Sequence, residues 1–150
     1  KKYDLIRMQH VFEHFSPEEG EIVLQKCAEI LKEGGYILIS TPDLAAHAKA
    51  YLSNYILAKK FKRFARKRVP ADAPASFYFS MFAHQLGYMP DAKLGSAHRW
   101  CYDYAGLRYQ VEKSRKFKNI RRLGLMNRLA NIPFTHRRPG TEVCLIAQKV

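Results

Sequence analysis

The first 42 residues constrain the fold most, because they hold two short apolar runs joined by a sharply delimited helix. Residues 3–8 are mostly apolar, with Asp4 near the start, as in a strand that is buried on both faces of a parallel sheet. Ser16-Pro17-Glu18-Glu19 indicates a helix start, with a capping serine and a glutamate that completes a capping box. Gly34-Gly35 is predicted to end this helix, and residues 36–40 form the next strand. The stretch therefore predicts a right-handed βαβ unit with parallel strands.

Polar residues cluster where the first strand ends, namely Gln9, His10, Glu13 and His14. Ligands of open α/β sheets bind just beyond the carboxyl ends of the strands, so these side chains mark a site. A histidine of near-neutral pKa can take a proton from an attacking hydroxyl or amine, which makes His14 and His10 candidate catalytic residues. The alternative for His14 is a hydrogen bond to backbone behind the site. The sequence shows no third ligand at a telling distance from the two histidines, so it predicts no metal site.

The chain divides into three parts. Residues 1–42 are the core βαβ unit, residues 43–97 a helical insertion or lid, and residues 98–150 a helix with the final two strands. Asp43 can cap the first helix of the insertion. The apolar spacing predicts helices over 44–64 and 104–116, and strands over 117–123 and 141–150.

The charge is strongly positive, with 26 basic and 13 acidic residues and a net charge of +13. Such an excess indicates an anionic partner, such as nucleic acid or a phosphorylated substrate, or else an acidic region that balances it. Much of it lies in residues 59–68, where two phenylalanines interrupt a basic run. The three cysteines lack metal spacing and predict reduced thiols in the cytoplasm. No apolar run approaches the roughly 20 residues needed to span a bilayer.

Several motifs together resemble a known family. Tyr3-Asp4-Leu5-Ile6, His10-Val11-Phe12-Glu13-His14 and the run from Leu31 to Pro42 resemble the second half of class I S-adenosylmethionine-dependent methyltransferases. Pro42-Asp43-Leu44 and His98-Arg99-Trp100 are similar to a bacterial branch of predicted methyltransferases. The resemblance implies an α/β fold, the second half of a Rossmann-like sheet with parallel strands, an antiparallel final strand and a helical insertion.

The resemblance also implies a cofactor and site residues. S-adenosylmethionine would bind with its methionine end near Met8, Gln9 and His10. The favoured alternative for Met8 is a side chain that simply belongs to the core, whereas Gln9 and His10 are expected to line the site. His98, Arg99, Trp100 and Tyr102 would contact substrate from a lid. The alternative is that this segment anchors the following helix, with Trp100 in the core and Arg99 paired to a carboxylate.

Two features of the family are not found in this sequence, the glycine-rich loop after the first strand and the acidic residue that ends the second. We therefore expect the chain to be the C-terminal part of one methyltransferase domain, with the N-terminal cofactor-gripping half absent from it. Alone it would bind the cofactor poorly and expose an open sheet edge.

Three functions follow as hypotheses. The first is methyl transfer to a small-molecule or glycan acceptor. The second is an RNA or protein methyltransferase, or a nucleic-acid-binding module, that uses the basic run 59–68. The third is an inactive fragment that assembles with a partner, or with a second copy, through the open edge.

Overall fold

A computed structural model describes residues 1–52, 98–124 and 140–150. Most of the predicted insertion and the whole basic run 59–68 lie outside the described residues. The described elements are strand β1 (Tyr3–Gln9), a 3-10 helix (Phe12–His14), helix α1 (Pro17–Ile30), strand β2 (Leu31–Pro42), helix α2 (Leu44–Leu52), helix α3 (Tyr104–Lys113), strand β3 (Phe117–Arg122) and strand β4 (Glu142–Lys149).

The four strands form one sheet in the order β1-β2-β4-β3. β1 and β2 are parallel, whereas β4 runs antiparallel to both β2 and β3. This arrangement confirms the predicted α/β fold, with parallel strands and an antiparallel final strand. Among the described strands β1 pairs only with β2, so its other edge is open.

Helix α1 begins as its sequence predicts. The Ser16 hydroxyl accepts a hydrogen bond from the Glu19 backbone N–H, at 3.3 Å, and the Glu19 carboxylate accepts one from the Ser16 N–H, at 2.9 Å. This capping box satisfies two N–H groups that a helix start leaves without partners.

The end of α1 was predicted wrongly. The helix ends at Ile30, and Leu31 is already extended and fully buried, as the first residue of β2. The two glycines therefore lie within the strand, where Gly34 has a φ of 73° and the pairing with β1 shifts its register. A β-carbon on Gly35 would lie 2.9 Å from the Lys32 carbonyl oxygen, so the irregular strand needs glycine there.

Helices α2 and α3 both begin at an aspartate. Asp43 accepts hydrogen bonds from the N–H groups of Ala45 and Ala46, and Asp103 accepts one from Gly106. α2 starts where the sequence predicts, and its predicted continuation to residue 64 lies outside the described residues. α3 ends at Lys113, three residues before the predicted end at 116.

The core lies on both faces of the sheet, because alternate residues of a strand point to opposite sides. The larger cluster packs residues of α1 and α3, such as Leu24 and Leu107, with Ile37 and Ile39 of β2. A smaller cluster on the other side includes Leu38 and residues of β4. Within 1–52, 98–124 and 140–150, no helix is both long and apolar enough to cross a membrane.

Phe12 fixes the 3-10 helix onto this core. Its side chain is fully buried, and its ring centroid lies 5.6 Å from that of Tyr102. A β-carbon at Gly20 would come within 3.0 Å of the Phe12 ring, so the glycine in α1 makes room for it. The turn that follows β1 is thus held in one position by packing.

We predict that Phe12→Ala lowers the free energy of unfolding by about 3–5 kcal/mol, because it leaves a cavity in the core. The measurement is urea denaturation followed by circular dichroism. The matched control is Val11→Ala in the same turn, where the side chain is 43% exposed and the expected change is within about 0.5 kcal/mol. Equal losses in the two variants would contradict the packing role of Phe12.

Candidate functional site

Three segments meet beyond the carboxyl end of β1: the 3-10 helix, the first residue of β4, and residues 98–102. The backbone carbonyl of Glu13 accepts two hydrogen bonds, from the N–H of Arg99 at 2.8 Å and that of Trp100 at 3.2 Å. The Arg99 guanidinium pairs with the carboxylate of Glu19 in α1. Residues 98–100 are therefore tied to both the 3-10 helix and α1.

His10 lies between two buried carboxylates. Its backbone is left-handed, with a φ of 54°, and its N–H donates to the Ser40 carbonyl at 2.9 Å. Its Nδ1 lies 3.3 Å from Glu13 Oε1, and its Nε2 lies 2.8 Å from Glu142 Oε2. The exposed fractions of the two carboxylate side chains are only 1% and 0%.

The two carboxylates change the protonation of His10. The contact with Glu13 raises its pKa most and the contact with Glu142 second most, to about 9, although burial lowers it. At neutral pH the ring is an imidazolium, with Nε2 hydrogen-bonded to Glu142 and Nδ1 at ion-pair distance from Glu13. A group in this state does not accept a proton, so the geometry favours a charged, structural His10 over the predicted base.

His14 and His98 lie next to Glu13 and to each other. Their rings meet edge to face, with centroids 4.9 Å apart and planes at 87°. His98 Nε2 lies 3.9 Å from Glu13 Oε1. The structure thus brings both predicted catalytic histidines, and one predicted substrate residue, around a single buried carboxylate.

The other three predicted substrate residues, Arg99, Trp100 and Tyr102, lie in different environments. Arg99 is paired with Glu19, as the anchoring alternative expects. Trp100 is 38% exposed and does not fill the core, whereas Tyr102 does, with 1% exposure. Burial also raises the pKa of Tyr102, so its phenol stays neutral. The structure favours packing for Tyr102 and leaves Trp100 able to contact a ligand.

The predicted cofactor residues at the end of β1 also have different side-chain environments. Met8 is buried in the larger core cluster, which favours the core alternative for its side chain. Gln9 is partly exposed, and its amide oxygen accepts a hydrogen bond from Arg7 at 2.8 Å. Both residues pair with the carboxyl-end half of β2, so their backbone lies at the rim of the sheet.

A cleft of about 260 Å³ lies at the carboxyl end of β2, next to His10 and its carboxylate partners. Glu142 lines this cleft and also forms the ion pair with His10. An ion pair crosses the cleft lining, where Arg122 Nη2 lies 3.0 Å from Asp43 Oδ2. The cleft is lined by Asp43, Ala46, Arg122, Leu123, Gly124, Gly140 and Glu142.

Glu142 is the site residue that the sequence did not reveal. It lies 132 positions from His10, at the start of a strand that reads simply as apolar. The only sequence signal for this role was that an acidic residue stands at the start of a strand whose following residues are buried.

The sequence of the chain matches a known family over residues 1–92, and that family is described as a methyltransferase domain. The chain belongs to this methyltransferase family. The match includes β1, α1 and β2, and it confirms the resemblance to S-adenosylmethionine-dependent methyltransferases. A search of curated proteins finds no match.

Solved structures show the same fold at low sequence identity. PigF, solved with SAH, has a TM-score of 0.50 at 12% identity, with 99% of this chain and 30% of that chain covered. The S-adenosylmethionine-dependent methyltransferase SibL, in its apo form, has a TM-score of 0.50 at 13% identity, with 99% and 33% covered. A "possible exported protein" from Bordetella parapertussis has 0.51 at 14%, with 99% and 39% covered. The chain spans about a third of the length of these methyltransferase-fold structures.

We predict that Glu142→Ala lowers the free energy of unfolding by about 3 kcal/mol, because it removes one partner of a buried ion pair. The matched control is Glu33→Ala at the far end of the sheet. Glu33 is 80% exposed and pairs with Lys149, so the expected change is below about 1 kcal/mol. Urea denaturation measures both, and a Glu142 loss no larger than the control would contradict the buried pair.

Proposed function

We propose that the protein carrying this chain is an S-adenosylmethionine-dependent methyltransferase, and that the cluster around His10 forms one wall of its cofactor site. The observation that carries the proposal is the family match, joined to polar residues at the carboxyl end of β1, where open α/β sheets bind ligands. The sulfonium of the cofactor supplies an already activated methyl group.

The charge of the cluster fits a cationic ligand. Two carboxylates, Glu13 and Glu142, face one imidazolium, His10, which leaves a net negative charge at the rim of the sheet. A sulfonium cation is attracted by such a charge, most strongly where water is excluded. In this arrangement Gln9 and His10 offer backbone groups to the methionine end of the cofactor.

Two roles predicted from the sequence stay within this proposal. His14 would accept the proton of the acceptor, since it lies beside the site and, unlike His10, is not held between Glu13 and Glu142. His98 and Trp100 would contact the acceptor, with Trp100 held by the hydrogen bond from its N–H to the Glu13 carbonyl. Positioning donor and acceptor in line supplies much of the acceleration, so the base contributes only part of it.

A small acceptor suits the cleft next to Glu142. Its volume of about 260 Å³ is just below the roughly 300–1,000 Å³ of typical ligand pockets. This supports a small-molecule or glycan-type acceptor, and the exposed Arg122 at its rim suits an anionic group on that acceptor. The reduced state of all three cysteines, Cys27, Cys101 and Cys144, agrees with the predicted cytoplasmic location.

Two alternative functions rest on other observations. The net charge of +13 supports a nucleic-acid or protein acceptor that binds the basic run 59–68, which lies outside the described residues. The open edge of β1 supports the third alternative, an inactive fragment that assembles with a partner chain or a second copy.

We expect the full-length protein to release or absorb heat when S-adenosylmethionine is titrated into it, with one site per chain. Glu142→Gln should weaken this binding by about tenfold, because it removes a negative charge beside the sulfonium. The control, Lys32→Gln, breaks an exposed ion pair with Asp4 at the opposite end of β1 and should bind as the parent does. No heat from the folded full-length protein would overturn the proposal.

Salt dependence separates the small acceptor from nucleic acid. Phosphate contacts release counterions, so RNA affinity would fall steeply as salt rises from about 50 to 200 mM. We expect a nearly flat response in fluorescence anisotropy with a labelled RNA. A steep slope would favour the basic run as the acceptor surface.

A further inference from the structure

Three side chains that can bind a metal ion lie close together near His10. Glu13, His14 and His98 each offer one carboxylate oxygen or imidazole nitrogen, and these atoms all lie within 4.8 Å of one another. The sequence spacing of His10 and His14 predicted no metal site because it lacked a third ligand. The fold provides one from 84 positions farther along the chain, by placing His98 against His14.

The carboxylate of Glu13 provides a second, independent observation. The side chain is 1% exposed, and neither of its oxygens has a hydrogen-bond partner in the part of the chain that the structure describes. Its nearest ring nitrogens belong to His10, at 3.3 Å, and to His98, at 3.9 Å. A buried carboxylate without donors is costly, and a bound cation is a general way to satisfy it.

Backbone contacts fix the positions of the three side chains relative to one another. Glu13 and His14 are consecutive in the 3-10 helix, and His98 directly precedes the two residues whose N–H groups bind the Glu13 carbonyl. The Arg99–Glu19 pair fixes the same segment to α1. Ligands on a rigid scaffold lose little freedom when an ion binds, which favours binding.

We propose that Glu13, His14 and His98 bind a divalent transition metal ion, most favourably Zn²⁺. Two imidazoles and one carboxylate are the ligand set of open zinc sites, whereas Mg²⁺ and Ca²⁺ prefer oxygen ligands throughout. Bonds of about 2.0–2.1 Å place tetrahedral ligand atoms about 3.3 Å apart. Small side-chain rotations therefore close the site.

Three protein ligands leave a fourth position for water or for an oxygen of another molecule. If the proposed methyl transfer holds, an acceptor hydroxyl in that position loses its proton more readily, because the metal stabilises the oxyanion. His14 then acts as a ligand and not as a base. The metal site itself does not depend on the methyltransferase proposal.

The test uses the full-length protein, stripped with a chelator and titrated with Zn²⁺ against a chromophoric competitor. We expect one Zn²⁺ per chain from this site, and at least tenfold weaker binding in each of Glu13→Gln, His14→Asn and His98→Asn. The control is His47→Asn, since His47 is a buried histidine of α2 that is not part of the cluster. It should bind Zn²⁺ as the parent does.

X-ray absorption of the zinc-loaded parent keeps the test decisive if a variant fails to fold. Nitrogen and oxygen neighbours with an imidazole signature support the site. Sulfur in the first shell would assign the ion to cysteine and overturn the proposal, as would unchanged affinity in all three folded variants. Zinc binding without any cofactor binding supports the metal site and counts only against methyl transfer.

Discussion

Glu13 connects the parts of this structure that form the site. Its carbonyl binds the backbone of residues 99 and 100, while its buried carboxylate faces histidines from three positions. Phe12, the preceding residue, fixes the same turn in the core. A single short 3-10 helix therefore sets both where the segment 98–102 lies and which charges meet at the rim of the sheet.

The antiparallel strand β4 completes the arrangement. Because it runs against β2, its first residues lie opposite the last residues of β2, with Glu142 beside Pro42 and Cys144 beside Ser40. Gln9 pairs with Ser40 from the other side. The carboxyl ends of two parallel strands and the amino end of an antiparallel one thus meet at one edge. This register explains how an acidic residue near the end of the chain reaches a histidine near its beginning.

Local signals in the sequence predicted local structure well. The capping residues Ser16 and Asp43 begin helices where expected, because a cap depends on neighbours two or three positions away. The end of α1 was misjudged because pairing with β1 drew Leu31 and the glycines into β2, and such pairing is invisible in a short window. The antiparallel direction of the final strand was anticipated only through the family resemblance.

The candidate site was predictable only in part, for the same reason. His10 and His14 follow a strand end, which the sequence shows. The carboxylate clamp on His10 requires Glu142, and the contact of His14 with His98 requires the fold. The alternative that put Trp100 in the core fails for the same reason, since the structure buries Tyr102 and leaves Trp100 part exposed.

Trp100 is the sole tryptophan of the chain, and its indole is part exposed while its backbone N–H binds the Glu13 carbonyl. Indole emission depends on local polarity and on nearby quenching groups. The chain thus carries an intrinsic optical reporter at the edge of its own site. Stopped-flow fluorescence can follow events there in real time, without a dye or a label.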